Sequence, residues 1–311
     1  HIHTHHINAE LTIKPLPPLI YFKEALPNIH RALIMSVNPG FGGQSLIPAM
    51  RFRLAVPPTL IDINRLNEQD LTDQRKRYGL LFQQAALFDS MTIAQNVAFP
   101  LRQHTQKNPF EIRQLVIERL REVGLSESIL GRKPAELSGG MRQRVMIAMA
   151  LACNPRLMIA DEPTTALDVT IQAQILELMD TLKRETGASI LFITHDLGVI
   201  AEMAQRIVVM YAGRVVEEAP TLEIFKRPLH PYTVGLLQSI PILGSRTAGE
   251  TRRLREIKGM VPSLVALPEG CKFGDRCPRV MEICRQREPE LTDIASGRRV
   301  RCWLHVEPPA S

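Results

Sequence analysis

The sequence has no apolar run long enough to cross a lipid bilayer. Its longest, residues 145–153, is far shorter than the roughly 20 residues that a membrane-spanning helix needs. No leader with a charged start and an apolar centre is present either. With 311 residues, 45% of them hydrophobic, we expect one large domain with an appendage that does not itself cross a membrane.

The sequence also lacks a concentrated basic stripe. The net charge is +6 and the pI is near 9.2, but lysine and arginine are scattered along the chain. A face that binds nucleic acid usually gathers such residues together. We therefore expect no nucleic acid partner, and interpret the charge as a solvated surface that can at most lie beside a membrane.

Cysteine is scarce before residue 271, where only Cys153 occurs. The other four are spaced C-x5-C-x6-C-x17-C near the end of the chain. Together with the missing leader, this pattern favours a reducing compartment and a metal or cluster rather than disulfides. Four thiolates suit Zn²⁺ as well as other metals, and unliganded thiols are a third alternative. The residues concerned are Cys271, Cys277, Cys284 and Cys302.

Short apolar runs alternate with helical patterns through the middle of the chain. Ile112, Val116 and Leu120 recur at helical spacing, and two apolar runs flank Ala212-Gly213, which predicts a hairpin at the sheet edge. Strands separated by helices are typical of an α/β fold with a mainly parallel sheet. The predicted strands are residues 32–37, 60–63, 78–82, 157–160 and 189–194.

Composition divides the chain into three parts. Residues 1–58 begin with a histidine-rich stretch and a weakly patterned, proline-rich segment that leads to a glycine-rich turn. Residues 59–227 carry the alternating strands and helices. Residues 228–311 shift to proline, arginine and cysteine, which indicates a C-terminal extension.

The strongest chemical signal is the run LSGGM at residues 137–141, where a helix is expected to begin. Backbone N–H groups, the helix dipole and the Ser138 hydroxyl would together form an anion site suited to a nucleotide γ-phosphate. Gly139 and Gly140 follow the serine at the expected start of the helix. The alternative is an ordinary helix N-cap, since serine often precedes an amphipathic helix.

Acidic and polar residues follow several predicted strands. Asp161 and Glu162 end one of them, where one carboxylate can hold Mg²⁺ and the next can orient an attacking water. His195 ends another and could contact a γ-phosphate. Each of these has a purely structural alternative when taken alone. Asp168 and Gln83 complete the set.

In this order and spacing, the motifs closely resemble those of the ABC ATPase family. The resemblance implies a P-loop NTPase-like domain with a helical signature subdomain, and ATP with Mg²⁺ as ligands. It assigns the Q-loop to Gln83, the signature motif to residues 137–141, and the Walker B motif to residues 157–161. It further assigns catalysis to Glu162, the D-loop to Asp168 and the H-loop to His195.

Members of this family dimerise head to tail with ATP between the subunits. The resemblance therefore implies a second ABC ATPase subunit, identical or different, whose ATP would contact Ser138, Gly139 and Gly140. It also implies transmembrane permease subunits and a peripheral position on the cytoplasmic face of the cell membrane.

The C-terminal part of the sequence indicates which type of ABC ATPase the chain resembles. The run LHPYT at residues 229–233, Ile240-Pro241, Gly270-Cys271 and the triplet RCP at residues 276–278 are similar to the extension of dipeptide and oligopeptide importer ATPases. In some members, cysteines of this extension hold a [4Fe-4S] centre. By this resemblance the four clustered cysteines would bind an iron–sulfur cluster, with Zn²⁺ as the alternative.

A regular phosphate loop, G-x-x-x-x-G-K-[ST], is missing. The nearest window is residues 38–45, where Gly43 and Ser45 fit the pattern. Asn38 replaces the first glycine, and Gln44 replaces the lysine whose charge reaches the β- and γ-phosphates. We expect Ser45, with Asp161 and Gln83, to serve Mg²⁺, and expect hydrolysis to be impaired by the missing lysine.

Two further resemblances give the chain a chimeric character. Residues 33–45 closely resemble the phosphate-loop region of ribulose-phosphate 3-epimerase, but the likeness ends near residue 50, before the eight strands of that enzyme could form. Residues 59–107 resemble the ATPase of phospholipid-trafficking ABC systems. No recognisable aromatic loop for adenine remains at this junction. The alternatives to a peptide-import ATPase are thus an impaired partner that only lends its signature motif, a phospholipid-trafficking ATPase and, remotely, an epimerase-derived protein.

Overall fold

The computed structural model describes residues 31–36, 53–56, 59–62, 68–82, 87–165, 167–240, 256–263, 266–295 and 297–306. Within these residues strands and helices alternate as predicted. The strands are β1 (Arg31–Ser36), β2 (Arg53–Val56), β3 (Thr59–Asp62), β4 (Tyr78–Leu81), β5 (Leu157–Asp161), β6 (Ser189–Ile193), β7 (Arg206–Tyr211), β8 (Arg214–Pro220), β9 (Thr292–Ala295) and β10 (Arg298–Val300).

Several helices begin at residues whose side chains cap the first N–H groups. Thr92 and Asn108 each form a reciprocal capping box, with Gln95 and Glu111 respectively. The helices are α1 (Glu68–Arg75), α2 (Ile93–His104), α3 (Pro109–Glu122), α4 (Gly139–Leu151), α5 (Val169–Thr186), α6 (Leu197–Met203), α7 (Thr221–Lys226), α8 (Pro231–Gln238) and α9 (Glu282–Gln286).

One eight-stranded sheet organises the fold, in the order β4-β5-β6-β1-β7-β8-β10-β9. The first five strands of this order run parallel, and β8, β10 and β9 extend the sheet through antiparallel pairs. The predicted α/β class with a mainly parallel sheet is confirmed. Residues 60–63 are also close to a real strand, but β3 pairs with β2 in a separate two-stranded sheet.

The helical part packs around one apolar core. Helix α3 buries Ile112, Val116 and Leu120, the three residues that its sequence pattern places on one face. Helices α2, α3 and α4 contact one another, and α4 packs against β4. No helix in the described ranges is both long and apolar enough to cross a membrane.

The hairpin around Ala212-Gly213 exists, but its predicted position at the sheet edge is wrong. Strands β7 and β8 pair as expected, with both turn residues at positive φ. Strand β10 from the C-terminal extension then adds to β8, and β9 adds to β10. The reason is electrostatic: Glu218 on β8 is 2% exposed and is bound by the Arg299 guanidinium from β10. Arg206 donates to the same carboxylate at 2.8 Å.

Candidate nucleotide site

The parallel strands β5 and β6 bring two predicted site residues to one edge of the sheet. Asp161, the last residue of β5, lies opposite Ile193, the last residue of β6. The chain continues from these two ends into Glu162 and into Thr194-His195. Because both strands point the same way, their carboxyl ends form one edge, where α/β sheets commonly bind ligands.

Glu162 occupies a left-handed backbone conformation with φ of 45°. Its N–H donates to the Ile193 carbonyl at 2.7 Å, which ties the turn after β5 to the end of β6. One carboxylate oxygen, Oε1, lies 3.2 Å from His195 Nδ1. The other, Oε2, accepts a hydrogen bond from the Thr165 hydroxyl at 3.0 Å. The structure therefore brings Glu162 and His195 together, as their placement at strand ends predicts.

His195 is open to solvent while its neighbours are anchored. Its side chain is 59% exposed, whereas Thr194 is buried. Asp196 caps helix α6 by accepting from the Gly198 N–H at 2.8 Å, and its other oxygen accepts from Gln172 of α5 at 3.2 Å. The loop after β6 is thus fastened to α5. The sequence analysis did not identify Asp196, although its place directly after the histidine and before a helix is the signature of an N-cap.

Ser138 is the N-cap of helix α4. Its hydroxyl oxygen accepts from the Met141 N–H at 3.3 Å, so the structural alternative for this serine is realised. The hydroxyl can also serve the predicted anion site, because a hydroxyl that accepts one hydrogen bond still has a proton to donate. Ser138 and Gly139 are exposed, and the first N–H groups of α4 lie at the surface.

The start of α4 packs closely on the start of α5. A Cβ atom placed on Gly140 would lie 2.9 Å from Ile171 Cγ2, while one on Gly139 would lie an ordinary 3.7 Å from Leu167. Asp168 caps α5 by accepting from the Ile171 N–H at 2.9 Å. The predicted D-loop residue and the predicted signature glycines therefore belong to one packed unit.

Gln143 links this unit to the turn that carries Glu162. The side chain is buried, with 7% exposed, and its amide donates to the Pro163 carbonyl. Gln143 and Thr165 were not among the predicted site residues. Gln143 stands between two arginines, so nothing in the sequence pattern indicated that its amide is buried and bonded to the backbone.

Several predicted site residues lie outside the described part of the chain. These are Gln83, Gly43 and Ser45, together with the rest of the glycine-rich turn. Of the three predicted Mg²⁺ ligands, only Asp161 is described.

The four clustered cysteines share one neighbourhood of the extension. The Cys271 N–H donates to the Cys284 carbonyl at 2.7 Å. Burial, followed by the nearby thiols of Cys271, Cys277 and Cys284, raises the pKa of Cys302 to about 11. Burial likewise raises the pKa of Cys271 and Cys277. All four are free thiols.

Proximity does not make these thiols a ligand set. In the described ranges no group of three or more His, Cys, Asp or Glu side chains is arranged to hold a metal ion. The described residues therefore do not show the predicted iron–sulfur or zinc site, which stays a prediction.

Comparison with known families assigns different stretches of the chain to three of them. Residues 55–165 match the ABC transporter family, and residues 216–284 match the C-terminal region of oligopeptide/dipeptide transporters. Residues 1–65 match the ribulose-phosphate 3 epimerase family. The epimerase likeness of the N-terminal segment is therefore confirmed, and it remains confined to that end.

Curated relatives are similar in sequence to this chain over most of its length. The oligopeptide transport ATP-binding protein AppD of Bacillus subtilis is 49% identical over 79% of this chain and 75% of its own length. OppD of the same organism is 44% identical, over 80% of this chain and 72% of its own length. The dipeptide transport ATP-binding protein DppD of Haemophilus influenzae is 46% identical, over 72% and 68%.

A solved structure supports the fold. A dimeric ATP-binding cassette in a post-hydrolysis state, bound to ADP and Pi, superposes with a TM-score of 0.50. It is 28% identical, and the match covers 62% of this chain and 85% of the cassette. With these relatives, the chain belongs to the ATP-binding proteins of ABC transporters of the oligopeptide and dipeptide type.

Proposed function

We propose that the chain is the ATP-binding and ATP-hydrolysing subunit of an importer of dipeptides or oligopeptides. The observation that carries the proposal is the pairing of Glu162 with His195 at the carboxyl edge of the parallel sheet, 3.2 Å apart. The printed names of the relatives, which are transport ATP-binding proteins for oligopeptides and dipeptides, support the same substrate class.

In this proposal each residue at the sheet edge has one role. Asp161 would hold Mg²⁺, and Gln83 and Ser45 would contribute to the same ion. Glu162 orients and deprotonates the attacking water, while His195 contacts the γ-phosphate. When bound, Mg²⁺ neutralises charge on the transferring phosphate. The residues present fit an ion at this edge. Asp161 is half-buried at the end of β5, and it is followed by Glu162, whose carboxylate accepts a hydrogen bond from Thr165.

A second ABC ATPase subunit, identical or different, completes the site. Ser138, Gly139 and Gly140 would contact ATP held mainly by that subunit, which the exposure of Ser138 and Gly139 at the start of α4 permits. Asp168 lies at the start of the packed neighbour α5. The solved relative is a dimer. We further propose that the pair docks on transmembrane permease subunits at the cytoplasmic face of the membrane.

The phosphate loop is the part of the site that departs from the family pattern. Strand β1 is parallel to β6, so the chain leaves β1 at the edge where His195 lies, and we propose that Gly43 and Ser45 follow there. Gln44 has no charge for the phosphates. A lysine there would contribute on the order of 4 kcal/mol at an effective dielectric constant of about 20.

The missing lysine favours one alternative to this proposal. In this alternative the chain is an impaired partner that lends its signature motif to an intact ATPase. Phosphate release from Mg-ATP separates the two, measured for the purified chain alone and mixed with an ABC ATPase subunit that has an intact phosphate loop. Turnover by the chain alone supports the proposal. Turnover only in the mixture, unaffected by Glu162→Gln in this chain, supports the alternative.

The resemblance of residues 59–107 to phospholipid-trafficking ATPases suggests another cargo. Transport assays with labelled peptides and labelled phospholipid in a reconstituted transporter distinguish the two. We favour peptides because the oligopeptide/dipeptide family match covers residues 216–284, which overlap the extension from residue 228 onward. We further propose that residues 59–227 form the main part of the ATPase domain, and that β1 from residues 1–58 completes its sheet.

The thiols of the extension admit a separate proposal. We propose that Cys271, Cys277, Cys284 and Cys302 bind an iron–sulfur cluster or Zn²⁺. Their shared neighbourhood in the extension supports this. Anaerobic reconstitution should give a brown protein for iron–sulfur, or about one bound Zn²⁺ by elemental analysis. Four freely alkylated thiols with no metal bound would exclude both.

A further inference from the structure

The carboxylate of Glu162 is held on both of its oxygens. His195 Nδ1 lies 3.2 Å from Oε1, and the Thr165 hydroxyl donates to Oε2 at 3.0 Å. Two partners on opposite oxygens fix the plane of a carboxylate, whereas one partner leaves it free to rotate. The side chain of Glu162 is only 21% exposed, so its orientation depends on these neighbours more than on water.

The backbone around Glu162 is secured by other contacts. The Glu162 N–H donates to the Ile193 carbonyl, and the buried Gln143 amide donates to the Pro163 carbonyl. The Thr165 N–H also donates to the Glu162 carbonyl at 3.1 Å. None of these bonds involves the Thr165 hydroxyl. Removing the hydroxyl should therefore release the carboxylate without opening the turn.

We propose that Thr165 is a positioning residue that sets the orientation of the Glu162 carboxylate for its reaction with water. The inference rests on the proposed role of Glu162 in ATP hydrolysis. A general base must have one oxygen within about 3 Å of the water it deprotonates, and a displacement of about 1 Å lowers rates by roughly 100-fold. Thr165 acts through Glu162 and has no contact with the reacting atoms of its own.

The test compares Thr165→Val, which removes the hydroxyl, with Thr165→Ser, which keeps it. Thr105→Val is the matched control, since the Thr105 hydroxyl donates to the Leu101 carbonyl at the end of α2, away from the sheet edge. The full chain is labelled with ¹⁵N, and long-range ¹H–¹⁵N spectra of the histidine rings are recorded at pH 8. His195→Asn identifies the His195 signals.

A neutral ring whose Nδ1 proton is bound by a carboxylate keeps one tautomer, and its two nitrogen signals stay well separated. In Thr165→Val the carboxylate turns away, so the two His195 signals should move toward each other. Thr165→Ser and Thr105→Val should match the unmodified chain. His195 signals in Thr165→Val that are the same as in the unmodified chain would overturn the proposal.

Kinetics provide the second measurement. In the assembly that releases phosphate, Thr165→Val should lower kcat about 10- to 100-fold while KM for ATP stays within about 2-fold, and Thr165→Ser should restore kcat. An unchanged kcat would also overturn the proposal. If no assembly releases phosphate, the proposed ATPase function fails, whereas the histidine spectra still decide the position of Thr165.

Discussion

His230 is a neutral histidine enclosed by the extension. It is 1% exposed, and its Nδ1 accepts from the Tyr232 N–H at 3.1 Å, so this nitrogen has no proton. The backbone N–H of His230 donates to the buried Glu217 carboxylate at 2.9 Å. Burial, followed by the charge of the neighbouring His305, lowers the pKa of His230 to about 3. The folded chain therefore keeps this ring neutral far below the ordinary histidine range.

This gives a pH dependence of stability. Below about pH 6.5 the unfolded chain protonates His230 while the folded chain does not, so the folded state loses stability as the pH falls toward 3. Between pH 7 and pH 5 the loss should be about 2 kcal/mol. Urea unfolding at several pH values measures it. His230→Asn, which keeps an acceptor for Tyr232, should remove this part of the slope, and an unchanged slope would contradict the assignment.

The phosphate loop gives a second prediction at the scale of single residues. Gln44→Lys combined with Asn38→Gly should raise the affinity for Mg-ATP by at least about 10-fold, because the new charge reaches the phosphates. Isothermal titration calorimetry measures the affinity. Gln44→Leu with Asn38→Gly is the uncharged control and should give no gain. Equal affinities for the two double variants would show that this turn does not bind the phosphates.

The sequence predicted some site residues and missed others for a physical reason. Glu162 and His195 follow apolar strands, and adjacent parallel strands end at one edge, so their proximity could be expected. Thr165 and Gln143 contact the same turn through one hydroxyl and one amide. Those contacts depend on side-chain rotamers and on the packing of α4, which no spacing in the sequence encodes.

At the scale of elements, the contact between α4 and α5 leaves no room at Gly140. Gly140→Ala would press a Cβ against Ile171 and should destabilise the chain by about 1–3 kcal/mol. Gly139→Ala is the matched control, where stability should stay the same or rise slightly, because alanine forms helices better than glycine. Urea unfolding compares the two.

A double variant tests whether the contact between Gly140 and Ile171 causes this loss of stability. Gly140→Ala combined with Ile171→Ala should lose less stability than the sum of the single changes, because the smaller side chain relieves the clash. Strict additivity would mean that Gly140 matters for another reason.

Some strands can be predicted from their local sequence pattern, and others cannot. Strands β4, β5 and β6 are apolar runs within one residue of their predicted ends, and the β7–β8 hairpin follows from its turn residues. Strand β10 contains two arginines and one valine, so it has no apolar pattern that would predict a strand. It joins the sheet because Glu217 and Glu218 on β8 offer it buried negative charge. Such a pairing spans about 80 residues and is not visible locally.

At the scale of the whole molecule, N-terminal and C-terminal segments complete the same sheet. Strand β1 lies between β6 and β7, and β10 and β9 extend the sheet beyond β8. The N-terminal strand thus comes from the stretch that resembles an epimerase, yet it occupies the centre of the ATPase sheet. A short apolar strand suffices for this position, because a central parallel strand is selected mainly by its hydrophobicity and β-propensity.

The central claim is that the chain binds Mg-ATP in a composite site whose Glu162 drives hydrolysis. Glu162→Gln keeps the size of the side chain but removes the base, so ATP should remain bound and hold two subunits together. Glu118→Gln, on the exposed face of α3, is the matched control.

Sedimentation velocity of the Glu162→Gln chain, alone and mixed with an ABC ATPase subunit that has an intact phosphate loop, tests this role with and without saturating Mg-ATP. We expect a stable dimer, formed with a second copy or with the added subunit, that appears only with Mg-ATP. The unmodified chain and Glu118→Gln should form a smaller dimer fraction because they hydrolyse the nucleotide. A Glu162→Gln chain that stays a monomer at saturating Mg-ATP, both alone and in the mixture, would contradict the proposed role of Glu162.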